Sequence, residues 1–253
     1  SGGLEVGYIF NSVDEFKFGT QFLGFSTDYL FTNSFGFITE QQSSNSEAAA
    51  YASFKKVIQD KKQNGEVFQR AVIEPSVHMH YYNNQNTVRL EPRIRAKLNF
   101  PGVSISAAAG TYSQNLMAAV SDRDVVNLFQ GFLSAPTQLP DRIQTSTLQT
   151  SWHLLAGVEA EIVPNLTSNV EVWYKNFTQL TNINRDKIFP EDPNFITETG
   201  LARGIDLNLK YRTPTVYAYA NYGLARVDRT DRITSAEPRT YSPIYDRRHT
   251  VNL

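Results

Sequence analysis

Hydrophobic and polar positions alternate along most of this chain, and the alternation is cleanest over Val88–Phe100. Val88, Leu90, Ile94, Ala96, Leu98 and Phe100 fall on one side, with Pro92 among them, and Arg89, Glu91, Arg93, Arg95, Lys97 and Asn99 fall on the other. A period of two makes this a strand with one apolar and one charged face; a helix would scatter those charges round its circumference. Pro101-Gly102 turns the chain, and Val103–Gln114 runs back with weaker alternation.

The same reading lays out ten strands. Leu4–Phe16 is the first, followed by a long polar and aromatic segment, Lys17–Ser46. Glu47–Ile58, Val67–Tyr82, Val88–Phe100 and Val103–Gln114 follow. The next segment, Asn115–Thr150, is a long insertion in which Asp122–Leu133 suits a short helix. Trp152–Ile162, Thr167–Leu180, Gly200–Arg212 and Thr215–Val227 are further strands, and a tenth begins at His249. In Trp152–Ile162, His153, Gly157, Glu159 and Glu161 oppose an apolar row; in Gly200–Arg212, Asp206 and Lys210 oppose Ile205, Leu207 and Leu209.

Connection lengths alternate too. Turns after the second, fourth, sixth and eighth strands are short; those after the first, fifth, seventh and ninth are long, with Asn83–Asn86 as the exception. In an up-and-down meander this puts tight turns at one end and long loops at the other. Outer-membrane barrels have that asymmetry, with strands apolar outside and polar inside. A soluble antiparallel sandwich shows the same alternation, but strands of 11–14 residues exceed its usual length of about 5–6. Register matters in the membrane reading: one slipped residue would turn the arginines of Val88–Phe100 to lipid, at about 2–4 kcal/mol each near the midplane.

Composition narrows the classes. The 253 residues carry a formal charge of −1, which gives no argument for nucleic acid. Without cysteine there is no disulfide framework and no thiolate metal site. No apolar run reaches the roughly 18 residues of a membrane helix, and the mean hydropathy of −0.37 leaves a barrel open. Aromatic residues, 13 Tyr and 16 Phe, suit strands and interfacial girdles alike. The first and last segments both read as strand interiors, so the chain is expected to be part of a longer protein.

Several segments together resemble one family. Leu90-Glu-Pro-Arg93 followed by Gly110-Thr-Tyr-Ser-Gln114 resembles a strand pair of TonB-dependent outer-membrane receptors, especially those of Bacteroidota. Trp152–Glu159 and Val170–Lys175 resemble a second pair, Gly200–Asp206 (with Asp in place of the family's Glu) and Tyr219–Tyr222 resemble two further strands, and Tyr245–Thr250 the motif that opens the following strand. The resemblance covers most of residues 47–253. It implies an all-β, antiparallel, up-and-down transmembrane β-barrel, of which residues 1–253 form about ten of 22 strands within one barrel domain. It further implies a plug domain and remaining strands outside this chain, import of a scarce nutrient driven by the TonB energising complex, and a Gram-negative outer-membrane location. A SusD-like surface lipoprotein is a possible partner, and no cofactor is implied.

The residues expected to face the lumen, for plug or substrate contact, are His78, Arg89, Glu91, Arg93, Arg95, Lys97, Glu159 and Asp206. Tyr245, Asp246, Arg247, Arg248 and His249 make up the strand-opening motif, for which a structural network is expected. His78 and His80 share a face at i, i+2, but no nearby cysteine or carboxylate completes a metal set in sequence. Trp152 and Tyr211 suit interfacial anchors. No serine–histidine–acid order, phosphate loop or pair of catalytic glutamates stands out, so no catalytic residue is expected. Two other functions remain open: an omptin-like outer-membrane protease using Asp246/His249 or His78/His80, and a receptor-like barrel serving as a structural member of a complex.

Overall fold

A computed structural model describes residues 1–33, 35–61, 65–118, 132–136, 147–184, 187–231 and 238–253. They build one twelve-stranded antiparallel sheet and a small two-stranded one. In chain order the strands are β1 Gly2–Phe10, β2 Asp14–Thr32, β3 Ile38–Lys61, β4 Val67–Tyr82, β5 Thr87–Phe100, β6 Val103–Gln114, β7 Leu116–Ala118, β8 Phe132–Ser134, β9 Gln149–Val163, β10 Leu166–Ile183, β11 Phe195–Arg212, β12 Tyr217–Asp231, β13 Arg239–Tyr241 and β14 His249–Asn252. Neighbours in sequence are neighbours in the sheet, except that β6 pairs β9 and the β7–β8 hairpin stands apart. β14 pairs the lower part of β12 and β13 the upper part.

The segment expected to be one strand, Leu4–Phe16, is two. Asn11 and Ser12 adopt positive φ (46° and 65°), and the chain folds back so that Phe10 pairs Asp14 and Tyr8 pairs Phe16. The turn is hidden in the sequence because pairing partners on either side of it have the same parity, so the alternation runs through unbroken. Lys17–Ser46 is likewise not a long loop but a hairpin, β2–β3, paired from Glu15–Lys55 to Thr32–Ile38. At its tip Asn33 Oδ1 accepts the N–H groups of Phe35 and Phe37 at 3.0 and 2.9 Å. The short connections at the long-loop end are therefore two, at this tip and at residues 83–86. Of the short helix expected over Asp122–Leu133, residues 122–131 lie outside the described residues, and Leu133 belongs to β8.

Burial on the two faces is the reverse of a soluble domain. On β5, Leu90 is 65% exposed while Glu91 is 2% exposed. Apolar residues are exposed on β2, β4, β6, β9, β11 and β12 as well, at Phe18, Met79, Ile105, Val158, Ile205 and Leu224. The polar side chains opposite are buried toward the long-loop end, whereas Arg95, Lys97, Glu159 and Asp206, nearer the short turns, are exposed on the other face. Asn45, Glu91, Glu198 and Asp231 are buried on the polar face. The polar face is the concave one. The tip of β2–β3 touches the β10–β11 connection through a hydrogen bond from Asn33 Nδ2 to the Lys187 carbonyl, 2.8 Å long. Since β3 and β10 are five strand spacings apart, about 24 Å in a flat sheet, the sheet must curl to bring these loops together.

The compact apolar cluster lies at the long-loop end, inside the curl. Met117, Leu133 and Ile183 form it, with Tyr29, Phe31 and Phe195 packed around them. β2 thus changes its pattern along its length: Phe16, Phe18 and Phe22 point outward, whereas Phe25, Tyr29 and Phe31 are on the opposite parity.

Candidate functional site: the polar concave wall

The wall is organised round a split in the sheet. β5 pairs β4 along nearly its full length, from Thr87–Tyr82 to Leu98–Ala71, but it pairs β6 only from Arg93–Gly110 to Phe100–Val103. Pro92 sits where the second ladder stops; it has no N–H to donate. Above it, β6 stays paired with β9 as far as Gln114–Gln149. Residues 87–92 and 111–114 therefore face each other across a gap in the ladder.

Glu91 closes that gap. Its Oε1 accepts the backbone N–H and the hydroxyl of Ser113, both at 2.6 Å. Its Oε2 accepts from Arg93 Nη2 at 2.6 Å, and His80 Nε2 lies 3.7 Å away. Arg93 reaches over Gly110, where a Cβ would sit 2.9 Å from Arg93 Cγ, to stack on Tyr112 at 4.3 Å. Tyr112 stacks in turn on His153, centroids 4.4 Å apart. Tyr82 OH shares a hydrogen bond of 2.9 Å with Ser113 Oγ. A buried carboxylate is tolerable only when paired and hydrogen-bonded, and Glu91 is both. Leu90-Glu-Pro-Arg93 and Gly110-Thr-Tyr-Ser-Gln114, the two halves of the strand pair noted in the sequence, meet here in one clasp.

The other expected wall residues spread out from this point. His78 stacks on Tyr51 at 5.2 Å, and Tyr51 OH bonds Glu5. Arg89 pairs across the ladder with His80, and its Nε is buried with no hydrogen-bond partner. Arg95 pairs Glu74 at 2.5 Å. Asp206 accepts the indole N–H of Trp173 at 2.8 Å. Lys97 and Glu159 lie on the same face, nearer the short-turn end. Sequence reading passed over Tyr51, Tyr82, Tyr112, Ser113 and Trp173. Parity places Tyr51, Tyr112 and Trp173 on the charged face, but only the cross-strand register sets Tyr112 beside Arg93 and Trp173 beside Asp206. Among the described residues no group of three or more His, Cys, Asp or Glu is placed to hold a metal ion.

The strand-opening motif is a set of tethers between β12 and the chain leading into β14. Tyr245 OH accepts from Arg229 Nη2 at 2.6 Å. Asp246 Oδ1 accepts the Val227 N–H at 2.9 Å, and its Oδ2 meets Arg248 at 3.0 Å. His249 Nδ1 and Tyr222 OH are 2.8 Å apart. Arg247 is exposed. Asp246 and His249 thus engage different partners.

The long-loop end folds inward over the wall. Ser134, 1% exposed, is the pin: its Oγ meets Thr27 Oγ1 at 3.1 Å and receives Asn45 Nδ2, while its N–H and carbonyl bond the Gln41 side chain, each at 3.1 Å. In the β10–β11 connection, Lys187 Nζ donates to the Pro190 carbonyl at 2.9 Å and to Asn194 Oδ1 at 3.0 Å. Asp192 Oδ2 accepts the N–H groups of Ile188 and Phe189, both at 2.9 Å, and these bonds hold its carboxyl below the usual carboxylate value.

Set against known proteins, the architecture is an all-β, antiparallel, barrel-like sheet that is not closed by the described strands. The chain is similar in fold to a chain of the RagAB peptide importer in its closed-closed state, with a TM-score of 0.55 and 10% identity over 95% of this chain and 32% of that one. It therefore spans about a third of the length of that solved chain. No family model matches the sequence, and no curated protein does.

Proposed function

We propose that this chain is part of the wall of an outer-membrane barrel that imports a nutrient in a TonB-dependent way. The observation that carries the reading is the inverted burial, with exposed Leu90 and Ile94 beside buried Glu91 on one strand. In water such a face is a liability; against lipid it is the requirement for a spanning strand. The apolar face of β5 runs from Val88 to Phe100, about 40 Å at roughly 3.3 Å per residue. Tilted by about 40°, that projects to about 30 Å, the thickness of the hydrocarbon core. Trp152 and Tyr174, 5.2 Å apart, stand toward the long-loop end of the outer face, and Tyr211 toward the other, as girdle residues would.

The likeness to an importer supports transport over catalysis, and RagAB's cargo makes peptides the substrate class of choice. The separate tethering of Asp246 and His249 supports a structural role for that motif and weighs against a protease there. A plug domain linking to the TonB complex, the further strands of a 22-stranded barrel and a SusD-like lipoprotein complete the proposal. The test is uptake of labelled peptides by cells carrying the full-length protein, with and without the inner-membrane energising complex. Uptake that disappears with that complex supports the reading; uptake that persists without it overturns the TonB dependence, and no protein-dependent uptake at all overturns transport.

A further inference from the structure

Below the clasp the concave wall is electrically divided. On β3 and β5, Lys55, Arg95 and Lys97 line one side, with Glu74 of β4 between them; on β9, β10 and β11, Glu159, Glu171 and Asp206 line the other, with Lys210 nearer the short-turn end. Between them runs a shallow gutter of small residues, Ser106 and Ala108 of β6 and Gly157 of β9. A Cβ at Gly157 would sit 3.2 Å from Ser106 Oγ, so the gutter floor leaves little room for a side chain. A cavity of about 340 Å³ occupies it, walled by Lys55, Glu74, Arg95 and Lys97 on one side and Glu171 on the other, with Leu155 bordering its floor beside Ala108. Arg95 is neutralised by Glu74. Lys55, Lys97, Glu159 and Glu171 form no ion pair among the described residues.

Lys97 and Glu171 stand in one cross-strand row, Lys97–Ser106–Gly157–Glu171. They are three strand spacings apart, about 14 Å between backbones. The small residues between them leave both heads free to meet a guest lying across the gutter. We infer that this row binds an extended zwitterion of about three residues, its carboxylate at Lys97 and Lys55 and its ammonium at Glu171 and Asp206. Three extended residues span about 10–11 Å, which fits a backbone gap shortened by the lean of the two side chains. The inference deepens the import reading, on which it rests for the choice of a peptide.

The test is equilibrium binding to the purified full-length protein in detergent. The probes are trialanine with free ends and the same peptide acetylated and amidated; neither has a charged side chain. Wild type is expected to bind the free-ended peptide at least tenfold more tightly than the blocked one. Lys97→Glu and Glu171→Lys should each abolish that preference. Reversing all four heads, Lys55→Glu and Lys97→Glu with Glu171→Lys and Asp206→Lys, should restore it, because a zwitterion can lie in either direction. Gly157→Leu should weaken binding of both peptides by filling the gutter. Equal binding of the two peptides by wild type, or a full reversal no better than the singles, overturns the inference. So does a loss of thermal stability that tracks the charge changes without any change in peptide preference, since the charges would then be seating protein in the lumen. Failure of the import reading is separate: it shows as absent uptake in cells, whatever the binding result.

Discussion

Glu91 and Ser113 are joined where their strands are not. The carboxylate receives the Ser113 backbone N–H and hydroxyl at 2.6 Å each, doing for β5 and β6 what the ladder does below Pro92. Glu91→Ala strands the Ser113 N–H and leaves Arg93 without its anion. Breaking a buried pair in this way costs about 3–5 kcal/mol. Glu91→Gln keeps an acceptor and is expected to lose less. Urea titration of the full-length protein in lipid vesicles measures both, and equal losses would mean that the charge itself, not the bridged gap, holds the strands.

Gly110 is required by a close approach, not by its backbone angles. Gly110→Ala places a Cβ against Arg93 Cγ and pushes the guanidinium off Tyr112 and Glu91. The expected destabilisation is about 1–3 kcal/mol, the range for overpacking. Arg93→Ala is costly in its own right, but in that background Gly110→Ala should be nearly neutral. A double-mutant cycle reads this coupling, and additive effects would place the strain elsewhere.

The outer face offers the sharpest discrimination between lipid and water. Ile94→Arg is expected to cost about 2–4 kcal/mol if the residue lies near the bilayer midplane. At the solvated surface of a soluble sheet the same change would be within about 0.5 kcal/mol. The neighbouring Arg95→Ile reverses the experiment on the concave face and removes the Glu74 ion pair. Folding into vesicles, followed by tryptophan fluorescence, separates the two surfaces.

Ser134 fixes the inserted loop to the β2–β3 hairpin. Ser134→Ala removes the hydroxyl shared by Thr27 and Asn45, which are themselves buried. The two polar groups left behind should cost about 1–3 kcal/mol of local stability. Amide hydrogen exchange at Ser134, whose N–H bonds Gln41, is expected to accelerate while the β9–β10 ladder keeps its protection. Uniform acceleration would make the pin part of the global fold.

Asp192 makes the β10–β11 connection acid-sensitive. Hydrogen bonds from Phe189 and Ile188 lower its folded pKa below the ordinary 3.8. A depressed carboxyl pKa stabilises the fold above the unfolded value and ceases to do so as pH falls through the folded one. The turn should therefore stay ordered at neutral pH and open only under strong acid. Asp192→Ala should open it at every pH. Limited proteolysis at neutral pH, and with pepsin in acid, checks both arms.

The sequence alone determined which residues face which side over β4, β5, β9 and β11. A strand between two different media repeats every two residues, and that signal survives without knowledge of the neighbours. Tyr245–His249 was also legible as a unit. Three features needed the tertiary structure. The β1–β2 turn was masked by matching parity across Asn11–Val13. The β2–β3 hairpin was masked because its surroundings change halfway: outward aromatics at Phe16, Phe18 and Phe22 give way to Tyr29 and Phe31 packed inside, which erases a single alternation. The clasp was masked because Glu91 and Ser113 are 22 residues apart, and only strand register, with the ladder ending at Pro92, makes them partners. Alternation assigns a residue to a face; pairing, which belongs to the whole sheet, decides what it touches there.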